Sequence, residues 1–371
     1  MLPLPSLPSM ESRYTQIPAN DLEADGLNYK YDDTYPPISG QPPILTFRNR
    51  RGVRWTVLAL GIFSILFGTQ LIYQQLGPPG EFKRCPALVG PVDDSPQPRT
   101  PNTDPSQWSN VIPPSRLMQM LAEGETTPRR LIHQSWKTRD NLPEHFQRWS
   151  DDWRRIHGQN WTYVLWSDED NRALVETYYP SYLSVYDSLP KPIYRADMVR
   201  NMYMHRFGGI YADLDLVPLA NLDVHLAAFY GPADAIPKAY VGHMGKDNFE
   251  HSIPNAFMAS TGRLHPFWLR PLDFVAKHAE EGQYTATPEA LTGPVALRTC
   301  VNEWERGATA DERSRGHLEV LENGKIYPLN WQGAPKLNWC LCRRHSPWFN
   351  EHRCNALYPE AWTITYWTHS W

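Results

Sequence analysis

The chain lacks any excess of basic charge: 36 lysines and arginines stand against 40 acidic residues in 371 positions, a net charge of −4. A polybasic nucleic-acid binder is thereby excluded, because such proteins draw their affinity from clustered positive charge. Cysteine is scarce, with Cys85, Cys300, Cys340, Cys342 and Cys354 the only five, and no C-x-x-C pair occurs from which a four-ligand zinc module could be built. Charge is missing altogether from residues 55–73, and residues 77–127 have little apolar periodicity. Proline is abundant but uneven: 19 of the 35 fall before residue 129, so the first third has a composition that resists packing. Fifteen tryptophans argue against disorder over the chain as a whole.

The uncharged run WTVLALGIFSILFGTQLIY is nineteen residues long, and a helix of about twenty residues crosses a bilayer core. It predicts a transmembrane helix over 55–76. A cleaved signal peptide would be shorter and nearer the N-terminus. Arg48, Arg50, Arg51 and Arg54 flank the run on one side only, which by the positive-inside rule leaves residues 1–54 as a cytosolic proline-rich tail and everything beyond 76 lumenal. Residues 77–127, rich in Pro, Ser, Asp and Asn, read as a stem, and residues 128–371 as the folded domain. All five cysteines are then lumenal, where disulfides persist. The C-x-C of Cys340 and Cys342 with Cys354 predicts one local bridge, a second could reach Cys300, and Cys85 in the stem could link two subunits. Asn160-Trp161-Thr162 is a glycosylation sequon.

Within the folded part, RRLIHQSW (129–136) and WTYVLW (161–166) read as strands, with a helical stretch around Pro143 to His157 between them. Ser167 with Asp170 forms an N-cap signal ahead of a helix to Tyr179. Pro192 begins another helix, IYRADMVRNMYMHRF, which Gly208 and Gly209 end before the strand IYADLDLVPL. Strands alternating with helices predict an α/β sheet with parallel elements, whose ligands gather beyond the strand C-termini.

Asp213 and Asp215 are two apart, so on a strand both carboxylates face one side. Such a pair suits a hard cation, Mn²⁺ or Mg²⁺, that keeps open positions for phosphate oxygens. A solvated strand end is the plain alternative. Upstream, Asp197 and Arg200 share a helix face, with Arg195 on a neighbouring one. They form either a surface ion pair or, through the fork of Arg200, a grip on phosphate.

The run R-A-D-x-x-R leading into G-G-I-Y-x-D-x-D (195–215) resembles the D-x-D sugar-binding region of glycosyltransferase family 32, which includes fungal α-1,6-mannosyltransferases and the subunits that mannosylate inositol phosphorylceramide. The resemblance extends over I-H-Q-S-W-K (132–137), L-W-S-D (165–168), Asn255 with Met258, His265-Pro266, Thr292-Gly293-Pro294 and the closing Ser370-Trp371. It implies a GT-A, Rossmann-like fold for 128–371 and a retaining transfer. In it Trp136 stacks on the nucleotide base, Asp197 and Arg200 hold the donor sugar and diphosphate, and Asp213 and Asp215 handle ribose and metal. Ser370 and Trp371 close over the diphosphate, Asn255 and Arg195 belong to the donor site, and Thr292-Gly293-Pro294 line the acceptor side. Trp136 could equally be a core residue. The family often carries His in H-x-W-x-x-S-W, whereas this chain ends T-Y-W-T-H-S-W, so His369 stands as the only local candidate for a third metal ligand.

The resemblance also implies a type II Golgi membrane enzyme that moves mannose from GDP-mannose to a glycan or glycolipid. Nothing in the motifs separates guanine from uracil, so a UDP-sugar transferase stays open. A non-catalytic sugar-nucleotide-binding subunit is the rival of another class.

Overall fold

The computed structural model describes residues 104–368, apart from 233–234 and 283–286. The expected tail, the membrane helix, Cys85 and the stem up to residue 103 lie outside the described residues, as do His369, Ser370 and Trp371. No helix among the described residues is long and apolar enough to cross a membrane.

In chain order the strands are β1 (Asn110–Val111), β2 (Leu131–Ser135), β3 (Thr162–Trp166), β4 (Gly209–Ala212), β5 (Leu216–Pro218), β6 (Lys238–Gly242), β7 (Phe257–Ser260), β8 (His317–Leu321) and β9 (Thr363–Thr365). Seven of them form one sheet in the order β1-β3-β2-β4-β7-β6-β8, while β5 and β9 pair separately. The α/β sheet expected from the alternation is present, but it is mixed. Strands β1 to β4 run parallel, β7 runs against both β4 and β6, and β8 returns parallel to β6. The reversal at β7 had no separate signal, because its residues FMAS are buried throughout and show no alternation to read.

The helices that matter here are α1 (Pro114–Ala122), α2 (Glu144–His157), α3 (Asp168–Tyr178), α4 (Pro192–Arg206), α5 (Arg270–Glu280) and α6 (Pro294–Gly307). Successive strand residues point to opposite faces, and the core follows that rule. Leu131 and Val164 join Leu174, Met198, Tyr203, Leu272 and Trp304 on one face, whereas Ile132, Tyr163 and Ile210 join Trp153, Trp161 and Phe229 on the other.

Helix α3 opens at the N-cap read from the sequence, which is closed as a capping box, Ser167 and Asp170 each bonding the other's backbone N–H. Helix α4 starts at Pro192 and hands over to β4 through two glycines at φ +71° and +89°. A Cβ on Gly209 would stand 2.5 Å from the Leu131 carbonyl oxygen, so no other residue fits there. This close approach seats β4 directly beside β2.

Three expectations need correction. The fold begins before residue 128: Asn110 and Val111 pair with β3, and α1 buries Leu117 completely in the main core. Proline hid this segment, although Pro113 and Pro114 serve only to open the helix. Second, IYADLDLVPL is not one strand. It leaves the main sheet at Ala212, turns through a hydrogen bond from the Leu216 N–H to the Asp213 carbonyl (3.0 Å), and resumes as β5 against β9. Third, the expected local bridge forms, between Cys342 and Cys354, but none reaches Cys300, which is free and buried in α6.

Candidate functional site

Parallel register sets Ser135 level with Trp166, so β2, β3 and β4 release Trp136, Ser167 and Asp213 at one sheet edge. The Trp136 N–H still bonds the Trp166 carbonyl (2.9 Å), which fixes the residue at the rim. The site lies beyond the strand C-termini, where open α/β sheets hold their ligands.

Behind that edge Arg200 is 1% exposed. Its fork reaches Asp197 Oδ1 (3.0 Å) and Asp213 Oδ1 (3.2 Å), and it donates to the Asn255 carbonyl at 2.9 Å. The guanidinium also sits 4.7 Å from the Tyr211 ring centre, while the Tyr211 hydroxyl donates to Asp213 Oδ1 at 2.6 Å. Burial works against the charge of Arg200, but Asp213, Tyr211 and Asp197 more than offset it and keep the side chain cationic. The i,i+3 pair is therefore no surface ion pair. It is the centre of a buried network that joins α4 to the D-x-D turn.

Asp197 is held at both oxygens. The Asn255 amide donates to Oδ1 (2.9 Å) and the Thr292 hydroxyl to Oδ2 (3.4 Å). A Cβ on Gly293 would come within 3.3 Å of the same Oδ2 and 2.9 Å of Glu289 Cα, so glycine lets the segment after Thr292 approach the carboxylate. Burial raises the Asp197 pKa to about 6 in spite of the Arg200 charge.

Asp213 and Asp215 converge although they lie in a turn, and both line one small recess with Ser135, Trp136, Phe146, Leu214 and Thr368. Period-two geometry does not bring them together; two separate anchors do. Arg200 and Tyr211 hold Asp213 from the main sheet, whereas the backbone N–H and hydroxyl of Thr368 both donate to Asp215 Oδ2 at 3.1 Å. Burial, then repulsion from Asp213, raises the Asp215 pKa to about 6, and burial raises that of Asp213. Each carboxylate keeps one oxygen without a hydrogen bond to another of the described residues: Oδ2 of Asp213 and Oδ1 of Asp215. Two desolvated, mutually repelling carboxylates with free oxygens fit a divalent cation. No cluster of three or more metal-ligating side chains occurs among the described residues, and His369 lies beyond them.

Beside the recess opens a cavity of about 360 Å³. Trp136 and Tyr211 give it aromatic walls, Pro192, Ile193 and Ala196 an aliphatic one, and Lys137, Lys191 and Asp168 a charged rim, with Arg200 at the back. Trp136 packs edge-on against Phe146 at 5.1 Å yet stays partly exposed, so it borders both spaces instead of disappearing into the core. Arg195 stands apart from the network, donating to the Leu189 carbonyl (2.9 Å). Tyr211, Thr368, Asp168, Lys137 and Lys191 were not singled out for roles from the sequence. Tyr211 sat inside the G-G-I-Y-x-D-x-D motif and could have been; Thr368 is 153 residues from its partner and carried no local signal.

Residues 143–231 match the family described as glycosyltransferase sugar-binding region containing DXD motif. The match is to that region and not to the whole chain. Its boundaries enclose Asp197, Arg200, Asp213 and Asp215 but leave out Trp136, Asn255 and Thr368, which the fold adds from either side. The chain is 42% identical over 193 residues to inositol phosphoceramide mannosyltransferase 3 of Schizosaccharomyces pombe, covering 52% of this chain and 49% of that one. It is 30% identical over 179 residues to a mannosyl phosphorylinositol ceramide synthase of Saccharomyces cerevisiae, covering 48% and 42%. The resemblance to family 32 is borne out by the sugar-binding region and these relatives. The chain spans about half the length of the curated relatives it matches. Among solved structures, a PaToxG glycosyltransferase aligns over 54% of this chain and 82% of its own with a TM-score of 0.36 at 14% identity, a weak likeness.

Proposed function

We propose that the chain is a mannosyltransferase of GT-A arrangement that moves mannose from GDP-mannose to an inositol phosphoceramide-type glycolipid, with retention of configuration. The observation that carries this reading is the Asp213–Asp215 turn: two carboxylates braced from opposite sides, each with an open oxygen, beside an aromatic-walled cavity at the strand C-termini. The named mannosyltransferases among the relatives support the sugar and the lipid class.

Asp213 and Asp215 would hold Mn²⁺ or Mg²⁺, which when bound offsets negative charge on a departing diphosphate. The chain's own residues do the positioning. Arg200 and Tyr211 fix the Asp213 rotamer, Thr368 fixes Asp215, and Asn255 with Thr292 locks Asp197. A covalent glycosyl intermediate needs a carboxylate with a free, aimed oxygen. Asp197 has both oxygens engaged and the open oxygens of Asp213 and Asp215 would be taken up by the cation, so a front-face displacement fits better, in which the leaving diphosphate takes the acceptor proton. The proposed setting is a type II Golgi membrane protein with the catalytic part lumenal. Asn160, which is exposed just ahead of β3, is then open to a glycan.

Full-length protein in microsomal membranes, given radiolabelled GDP-mannose and inositol phosphoceramide with Mn²⁺, should yield a labelled lipid, and Asn160 should carry an endoglycosidase-sensitive glycan. Transfer from UDP-galactose alone, or labelled donor that never reaches lipid, would overturn the donor or the acceptor assignment respectively.

A further inference from the structure

The rim of the large cavity contains a charge that phosphate binding does not explain. Lys137 and Lys191 suit a polyanion, but Asp168 stands between them in sequence at the C-terminal end of β3 and would repel one. Its position in the first turn of α3 suits the positive end of the helix dipole, but the capping hydrogen bonds there are made by Ser167 and Asp170. The Asp168 N–H bonds the Lys137 carbonyl (3.3 Å), while its carboxylate makes no hydrogen bond among the described residues. Burial raises its pKa, with Arg195 and Lys137 acting in the opposite sense. Asp168 is exposed where it lines the cavity, so its carboxylate is open to accept from a ligand edge made of N–H donors.

The remaining walls narrow the class of ligand. Trp136 offers a flat face next to Lys137, whose ammonium lies 5.4 Å from the indole centre, and Pro192, Ile193 and Ala196 close the other side. A planar heterocycle fits between them, and the volume lies in the roughly 300 to 1,000 Å³ range of small-molecule sites. Guanine presents N1–H and the N2 amino group as adjacent donors that one carboxylate can accept together, and its O6 and N7 are acceptors suited to an ammonium. Uracil presents a single N–H between two carbonyl oxygens, which a carboxylate repels.

We infer that Asp168 selects the donor base, accepting from N1–H and the N2 amino group of a guanine stacked on Trp136, so that the chain takes guanosine diphosphate sugars and rejects uridine ones. The inference rests on the transferase reading above and assigns its base specificity to one side chain.

Titration of the full-length protein in detergent with GDP, UDP and xanthosine diphosphate, each with Mn²⁺, tests it. Wild type should bind GDP about ten- to a hundredfold more tightly than either of the others, the difference made by a charge-assisted hydrogen-bond pair. Asp168→Asn should invert the order for the purines, because an amide can donate to the C2 carbonyl of xanthine while accepting from its N1–H. Asp168→Ala should lose the guanine preference without gaining xanthine, and UDP should bind all three proteins alike. Equal weakening of GDP, UDP and xanthosine diphosphate in both variants would overturn the inference and leave Asp168 a general electrostatic residue. Equal wild-type affinity for UDP and GDP would overturn it while leaving the transferase reading standing; absence of all nucleotide binding would overturn both.

Discussion

The two aspartates of the turn are held by different parts of the molecule. Asp213 is braced from inside the matched region, by an arginine thirteen residues upstream and a tyrosine two residues upstream, all buried against the main sheet. Asp215 is braced from the end of the described chain, by Thr368 at the close of the small β5–β9 sheet. One half of the site is thus part of the core, while the other half depends on a late segment docking in place. The difference teaches that the D-x-D motif is only half of a site, and that its second half is assembled by topology.

The comparison can be broken most sharply at Arg200. Arg200→Met leaves Asp197 and Asp213 buried beside each other without a cation, and removing one partner of a buried charge network costs about 3 to 5 kcal/mol. Denaturant unfolding should show that loss together with loss of activity; a variant of wild-type stability would mean that the network is not what holds α4 to the turn.

Asp215→Asn should separate function from stability. Turnover should fall about a hundredfold or more, as when a key electrostatic group is removed, while the protein gains stability at neutral pH. The sign follows from the raised pKa. Asp215 titrates near 6 in the fold and near 3.9 unfolded, so the native state binds the extra proton in that window and wild-type stability declines as pH rises from about 4 to 6. Thermal melts of the variant should match wild type near pH 4 and exceed it at pH 7, by on the order of 1 to 3 kcal/mol. Activity of the wild type should fall below pH 6 as Asp197 and Asp215 protonate.

The smallest expected effect tests the late segment. Thr368→Val removes the hydroxyl donor but leaves the backbone N–H on Asp215, so about 1 kcal/mol is at stake. Mn²⁺ affinity, measured by calorimetry, should drop several-fold with the global melt unchanged. An unchanged affinity would mean that the backbone N–H alone fixes the carboxylate.

These two halves also mark what could be read from the sequence. Ser167 with Asp170, Pro192, the Gly208-Gly209 pair and the strands around Ile132 and Val164 act through neighbours a few residues away, and each was legible. The split after Ala212 was not, because apolar-polar alternation runs on unchanged through Asp213 and Asp215 into Leu216 while the partner strand changes from β7 to β9. Likewise Arg200 was readable as a partner of Asp197, but its second carboxylate partner, Asp213, becomes visible only when the glycines fold β4 back along α4. Asn255 was taken only from a motif, and its role proved to be support of Asp197 and Arg200 by side chain and backbone at once.

The Cys342–Cys354 bridge has a practical bearing on how the protein can be made. Both sulfurs pack in the same apolar cluster as Leu214, Ile364 and Tyr366, the residues that seat the chain leading to Thr368. A crosslink closing a loop of about a dozen residues stabilises by roughly 2 to 4 kcal/mol. Material produced in a reducing bacterial cytoplasm would therefore have its main sheet and its Arg200 network, yet be slack at Asp215. Secretion hosts, or oxidative refolding, are the route to active preparations, and loss of activity on mild reduction is the signature to look for in purified samples.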